Sequence, residues 1–391
     1  MRRTKTRLHA RALAALTAIA ALTIAATTLA VAPAAPAGAT PPTLPAPNSH
    51  GITLQSWAQV TPSEPATVPR LLDATVTTGA IFQPRGTPSI DPVTIPIKVR
   101  IYLPANYRTD PSRPYPVLYL LHGGAGTYSD WSDASGGDLK NTLNDVLSGS
   151  DFDGIVVMPE GGRSGWYSDW YGATDGHFAP QWETFHIGQL VGWIDDNFNT
   201  VDNRSGRTIA GLSMGGLGAL GYAGRHTDLF SAVGSFSGGT DLTEPGAQSI
   251  VNDSMWFYGA TVADTGFLDG TFRVTGSTAY RMQTVFGPPV AGDWPTKNPL
   301  RLADVYNAYD TRFGLYAGQN TSSLEGERQI GIWNDEFHAA LDARGVDHRY
   351  CTGTGTHSWS FWKNDLKDFL NYVYGTTPSQ CTANPGWTRV S

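Results

Sequence analysis

Arg207-Thr208-Ile209-Ala210-Gly211-Leu212-Ser213-Met214-Gly215-Gly216-Leu217 is the stretch on which the reading of this chain turns. A short strand-like run, Arg207 to Ala210, meets a Gly-x-Ser-x-Gly turn, and a small-residue helix pattern from Met214 to Arg225 follows. A serine hydroxyl is a weak nucleophile at its free pKa. It needs a base within hydrogen-bond reach, and the base needs an orienting acid. Glycines on both sides of Ser213 permit the tight turn and the close helix–strand packing that expose such a serine. The chain holds 44 Gly in 391 residues, so the pentapeptide alone arises by chance too easily to decide anything. Its place directly after a strand and directly before a helix is what carries weight. The competing reading is a purely structural glycine-rich turn.

Working outward, strands and helices alternate. Ile95–Leu103 alternates and stops at Pro104. Pro116–Leu121 and Gly154–Pro159 are continuous apolar runs, as expected of strands buried on both faces of a parallel sheet. Residues 138–147 and 181–198 have helical spacing. Phe230–Phe236, Arg312–Ala317 and Asp347–Cys351 read as further strands, and 328–344 and 359–374 as helices. This alternation predicts an α/β fold of the α/β-hydrolase type: a mostly parallel central sheet flanked by helices. Residues 239–300 read as an irregular insertion over the sheet.

The chemistry then needs partners. A developing oxyanion requires two fixed N–H donors. The residue after the nucleophile, Met214, supplies one. The loop His122-Gly123-Gly124-Ala125 after an earlier strand supplies the other, with Gly124 chosen because it has no side chain to block a substrate. The base must come late in this fold. His357, between the last strand and the last helix, is selected by order and by elimination among nine histidines. Four acids compete to orient it: Glu325, Glu327, Asp335 and Glu336. A buried stripe of Ile330, Phe337 and Leu341 favours Glu327, three residues before Ile330, and turns Asp335 and Glu336 to solvent. His122 and Trp359 are candidate substrate contacts. Tyr167, Trp166 and Trp170 are read as packing. Asp130, Asp133 and Asp138 show no spacing for a metal cage, so no metal site is expected, and no cofactor motif is present.

Composition bounds the rest. The net charge is −7 and 16% of residues are charged, without a basic stripe, which argues against nucleic acid as a partner. Arg2, Arg3, Lys5, Arg7 and Arg11 precede an apolar run that closes on Ala37-Gly38-Ala39. Residues 1–39 therefore read as a signal peptide and the chain as secreted, with no membrane span after cleavage. Residues 40–50 read as a flexible Pro-rich leader, 51–375 as one catalytic domain, and 376–391 as a C-terminal tail. Cys351 and Cys381 are the two cysteines, and an exported chain with an even pair predicts a disulfide holding that tail.

Several motifs resemble the esterase D / antigen 85 branch of the α/β-hydrolases. They are Tyr119-Leu120-Leu121-His122-Gly123, Met158-Pro159-Glu160-Gly161-Gly162, Tyr167-Ser168-Asp169-Trp170-Tyr171 and Trp182-Glu183-Thr184-Phe185. Gly211–Gly215 and Gly355-Thr356-His357-Ser358-Trp359 complete them. The likeness covers about residues 95–372. It implies that Glu327 is the catalytic acid, with Asn334, Phe337, Ala340, Ala343 and Gly345 following in register. The mycolyltransferases of that branch carry an acid and an Arg in the oxyanion loop, where this chain has His122 and Ala125. That departure favours hydrolysis over transfer to trehalose.

The expected function is a secreted serine esterase that hydrolyses carboxylic esters through an acyl-enzyme. Its substrate would be a small-molecule, lipid or carbohydrate ester. Two alternatives stand beside it: an antigen 85-like acyltransferase and a catalytically silent binding protein.

Overall fold

A computed structural model describes residues 43–60, 70–83, 93–108, 110, 112–147, 152–171, 179–258, 285–288, 292–306, 309–319, 326–375 and 381–390. Residues 1–39, read from the sequence as a signal peptide, and the candidate Glu325 lie outside the described residues.

The central sheet has ten strands among the described residues. In chain order they are β1 (Ile52–Gln59), β2 (Arg70–Thr78), β3 (Ile97–Leu103), β4 (Val117–Leu121), β5 (Ile155–Pro159) and β6 (Arg207–Leu212). Then come β7 (Ala232–Phe236), β8 (Arg312–Gly318), β9 (His348–Gly353) and β10 (Thr388–Arg389). Across the sheet the order is β1-β2-β3-β5-β4-β6-β7-β8-β9-β10. The six strands from β5 to β9 run parallel. β1, β2 and β3 join one edge antiparallel, and β10 joins the other antiparallel.

The continuous apolar runs explain themselves in this arrangement. Val117, Tyr119 and Leu121 of β4 face one apolar layer, and Leu118 and Leu120 face the other. Each fully buried Leu or Phe side chain contributes about 1.5–3 kcal/mol, so both faces must be covered. Helices α1 (Leu139–Leu147) and α6 (Trp359–Tyr374) cover the Leu118 side. On the Tyr119 side lie α2 (Val191–Asn197), α3 (Met214–Arg225) and α5 (Glu327–Asp342). α2 continues a π-helical stretch, Thr184–Leu190.

Two expectations need correction. Residues 43–50 are not a loose leader in the structure. Asn197 of α2 bonds Ala46 through both its amide atoms, at 2.9 and 2.8 Å, and Trp193 Nε1 donates to Pro47 O at 3.0 Å. Leu44 is buried beneath them. The segment read as irregular contains a helix, α4 (Pro245–Tyr258), and a one-turn helix, Trp294–Lys297. Residues 259–284 of it lie outside the described residues. The expected disulfide Cys351–Cys381 is present and ties the tail to β9. No helix among the described residues is long and apolar enough to cross a membrane.

Candidate active site

The site lies where the parallel strands end. β6 runs into Ser213, β4 into the His122–Gly126 loop, β7 into Ser237, and β9 into the loop carrying His357. Open parallel sheets bind ligands beyond these carboxyl ends.

Ser213 occupies a strained turn. Its φ is 52° and ψ −119°, a conformation that non-glycine residues avoid. Two contacts show why the flanking residues are glycine. A Cβ on Gly211 would meet Gly215 O at 2.4 Å, and one on Gly215 would meet Leu121 O at 2.5 Å. The Ser213 N–H is anchored on Phe236 O at 2.8 Å. Ser213 is half-buried and stands at the N-terminus of α3.

His357 bridges Ser213 and Glu327. Its Nε2 lies 3.0 Å from Ser213 Oγ and its Nδ1 lies 2.7 Å from Glu327 Oε2. The carboxylate only accepts, so Nδ1–H donates to it, and Nε2 then accepts from the serine hydroxyl. Glu327 opens α5 and is 1% exposed. Its other oxygen accepts from Ser237 Oγ–H and from the Gly318 N–H, each at 2.7 Å. Trp362 Nε1 donates to Ser237 Oγ at 3.1 Å, and the Trp362 ring meets His357 edge to face at 4.8 Å. Three donors thus converge on one buried carboxylate.

The oxyanion candidates stand beside the serine. Met214 is the first residue of α3, where N–H groups have no partner inside the helix and the dipole favours negative charge. A Cβ on neighbouring Gly123 would come within 3.4 Å of Ser213 Cβ. A Cβ on Gly124 would approach nothing closer than Arg163 O at 3.9 Å, so that residue faces open space. Ala125 N–H is committed to Arg163 O at 2.7 Å, and Gly126 N–H to Gly123 O at 3.1 Å. These bonds fix the loop around Gly124.

His122 is not placed as a substrate contact. Its side chain is 1% exposed. The ring turns inward, with Nδ1 2.8 Å from Gly123 O and Nε2 accepting from Gly161 N–H at 2.9 Å. A carbonyl and an N–H in these positions hold the ring as a brace for the loop, not as a wall of the site. Tyr167 OH completes the brace by donating to His122 O at 3.0 Å. Trp359 is half-buried and packs edge-on against Trp131 at 5.0 Å and Trp362 at 5.3 Å. Trp166 and Trp170 donate to Ser254 Oγ and Gly165 O, each at 3.0 Å. Asp130, Asp133 and Asp138 take hydrogen bonds from Thr127, Ser129 and Asn141. Sequence reasoning missed Ser237 and Gly318. The available signal was a polar residue, Ser237, directly after a buried strand at the same sheet edge as Ser213.

The fold is that of the α/β-hydrolases. Among solved structures it resembles a ferulic acid esterase, with a TM-score of 0.56, 20% identity, and 79% of this chain and 98% of that one covered. It also resembles MPT51 of Mycobacterium tuberculosis, with a TM-score of 0.53, 20% identity, and coverage of 75% and 97%. At that identity these likenesses show the fold alone. The model of the Esterase family, described as "Putative esterase", matches residues 93–373. The chain belongs to that family. Among curated relatives it is 34% identical over 265 residues to Esterase Rv1288 of Mycobacterium tuberculosis (strain ATCC 25618 / H37Rv), covering 66% of this chain and 52% of that one. The chain therefore spans about half the length of that relative. It is 30% identical over 280 residues to the diacylglycerol acyltransferase/mycolyltransferase Ag85A of Mycobacterium leprae (strain TN), covering 67% of this chain and 77% of that one.

Proposed function

We propose that this chain is an exported serine esterase that cleaves carboxylic esters through an acyl-enzyme. The observation that carries the reading is the relay from Ser213 Oγ through His357 to Glu327, with contacts of 3.0 and 2.7 Å. Ser213 attacks the ester carbonyl, and His357 Nε2 takes its proton. Glu327 holds the imidazole in the tautomer that accepts and stabilises the imidazolium that forms. The N–H groups of Met214 and Gly124 bind the oxyanion, each worth about 3–4 kcal/mol of barrier. His357 returns the proton to the leaving alcohol. Water then attacks the acyl-enzyme with His357 again as base, and Ser213 is released. The scheme requires no cofactor.

Names among the relatives support both an esterase and an acyltransferase, so acyl transfer is the second reading. The position of His122 bears on that choice. Because its ring is interior, its difference from the mycolyltransferase loop says nothing about the acceptor at the surface. The acceptor is settled by product. The purified protein is expected to release nitrophenol from short-chain esters, and Ser213→Ala to lose at least about a thousandfold of that rate. If nitrophenol release is unchanged by added glycerol or sugar and no acylated acceptor forms, water is the acceptor. An acylated sugar or glyceride as main product would replace hydrolysis with transfer. Equal silence of wild type and Ser213→Ala across a panel of acyl chain lengths would favour the binding-protein reading.

A further inference from the structure

The far end of α5 carries a cluster that ester chemistry does not use. His338 and Asp342 stand four residues apart on that helix and share a face. The chain turns back after Asp342, and His348 opens β9 beside them. His338 Nδ1 lies 2.7 Å from His348 Nε2. Asp342 Oδ1 is 3.9 Å from the same Nε2, and Asp342 Oδ2 is 3.5 Å from His338 Nε2. One ligand atom from each residue falls within 4.8 Å of the other two.

The tautomers follow from the neighbours. His348 Nδ1 lies 2.8 Å from Val346 O. A carbonyl only accepts, so Nδ1 bears the proton and Nε2 turns its lone pair toward His338 and Asp342. Imidazoles that ligate metals are held this way, with the other ring nitrogen donating to a backbone carbonyl or carboxylate. Here the lone pair accepts from His338 Nδ1–H. Exchanging that one proton for a cation gives two imidazole nitrogens and a carboxylate oxygen around a common point.

We propose that His338, Asp342 and His348 bind a divalent transition-metal ion of the zinc class, with water as the fourth ligand. Two imidazoles and one carboxylate suit zinc, whereas calcium and magnesium take oxygen donors. Tetrahedral zinc spaces its donors by roughly 3.3 Å, given bonds of about 2.0–2.1 Å. The observed separations of 2.7 Å between the two imidazole nitrogens and 3.9 Å from His348 Nε2 to Asp342 Oδ1 bracket that spacing. The side chain of His348 is 1% exposed and fixed, while that of Asp342 is 56% exposed and has room to rotate inward. Asp342 lies about 22 Å along α5 from Glu327, at 1.5 Å per residue. The ion would therefore pin the start of β9 to the end of α5 and raise stability without entering the chemistry.

The test uses the full-length protein with any purification tag removed, stripped with chelator and then titrated with Zn²⁺ or Co²⁺ near neutral pH. At a hundredfold excess over the dissociation constant, Zn²⁺ is expected to raise Tm by roughly 4 °C. Co²⁺ is expected to give the visible absorption of a four-coordinate site. His338→Ala and Asp342→Asn, two side chains that reach solvent, are expected to weaken binding at least a hundredfold and to lose most of both signals while still hydrolysing ester. No Zn²⁺-dependent shift in the wild type overturns the proposal. So does an undiminished shift in both variants, which would place the ion elsewhere, or an equal response to Ca²⁺.

Discussion

Glu327 and Asp365 are buried to the same degree, each 1% exposed, yet their surroundings ask opposite things of them. Glu327 meets Ser237 Oγ–H, Gly318 N–H and His357 Nδ1–H, a set of donors that suits a carboxylate. Asp365, on α6, receives Asn384 Nδ2 at 2.6 Å on one oxygen. Its other oxygen has no partner among the described residues. Burial pushes the Asp365 pKa well up, and the charges of Glu327 and Asp368 push it further. What separates the two groups is the supply of donors, since depth is equal. In the proposed mechanism, a buried carboxylate with three donors can answer the charge that forms on His357. One with a single amide donor cannot.

The largest way to break this contrast is to neutralise Glu327. Glu327→Gln is expected to cut kcat on a nitrophenyl ester by about 10³–10⁴-fold, because an amide cannot hold His357 in the accepting tautomer. The same exchange at the other carboxylate, Asp365→Asn, is expected to leave kcat within about threefold. Equal losses in the two variants would erase the distinction.

Next comes the tail that delivers Asn384. Cys351–Cys381 closes a loop with a sequence separation of 30 residues. Within that tail Trp387 Nε1 donates to Thr354 O at 3.0 Å, beside the His357 loop. Replacing both cysteines by Ala is expected to lower unfolding stability by about 3–4 kcal/mol in denaturant titration. An unchanged midpoint would mean that the tail stays seated without its bond. A smaller effect tests the donors of Glu327 singly. Ser237→Ala removes one of three and is expected to cost about 1–2 kcal/mol of stability and roughly tenfold in kcat. Ser237→Thr, which keeps a hydroxyl, is expected to recover part of that loss.

The smallest effect is a pH dependence with a definite sign. Because folding raises the Asp365 pKa, the group's favourable contribution is fully present below the unfolded value, near 3.9, and is lost as pH rises through the folded value. Asp365→Asn removes that loss. Its Tm is expected to exceed that of the wild type near pH 7 and to match it near pH 3.5. A difference of Tm that does not vary with pH would show that Asp365 does not titrate as described.

Local features of the site were legible in the sequence because each rests on a short stretch. The turn at Ser213 follows from two glycines between a strand and a helix. The place of His357 follows from the order of elements around the last strand. Glu327 was reached by a helix-face argument that rested on the wrong neighbour. Ile330 is only half-buried, and the face that α5 buries is Gly331, Asn334, Phe337 and Leu341. Glu327, Gly331 and Asn334 share one buried face of α5. Ser237, Gly318 and Asn384 were not legible. Their roles depend on contacts of 90, 9 and 19 residues' separation that no local pattern encodes. His122 was misplaced for a similar reason. Its inward turn depends on Gly161, 39 residues away.

The central claim is that Ser213 becomes acylated, and covalent labelling tests it most directly. The protein is treated with a fluorophosphonate ester, and the adduct is located by peptide mass spectrometry. The account predicts one adduct per chain, on Ser213, formed in step with loss of nitrophenyl esterase activity and absent from Ser213→Ala. Activity that survives full labelling of Ser213, or an inactivating adduct on another residue, would contradict it.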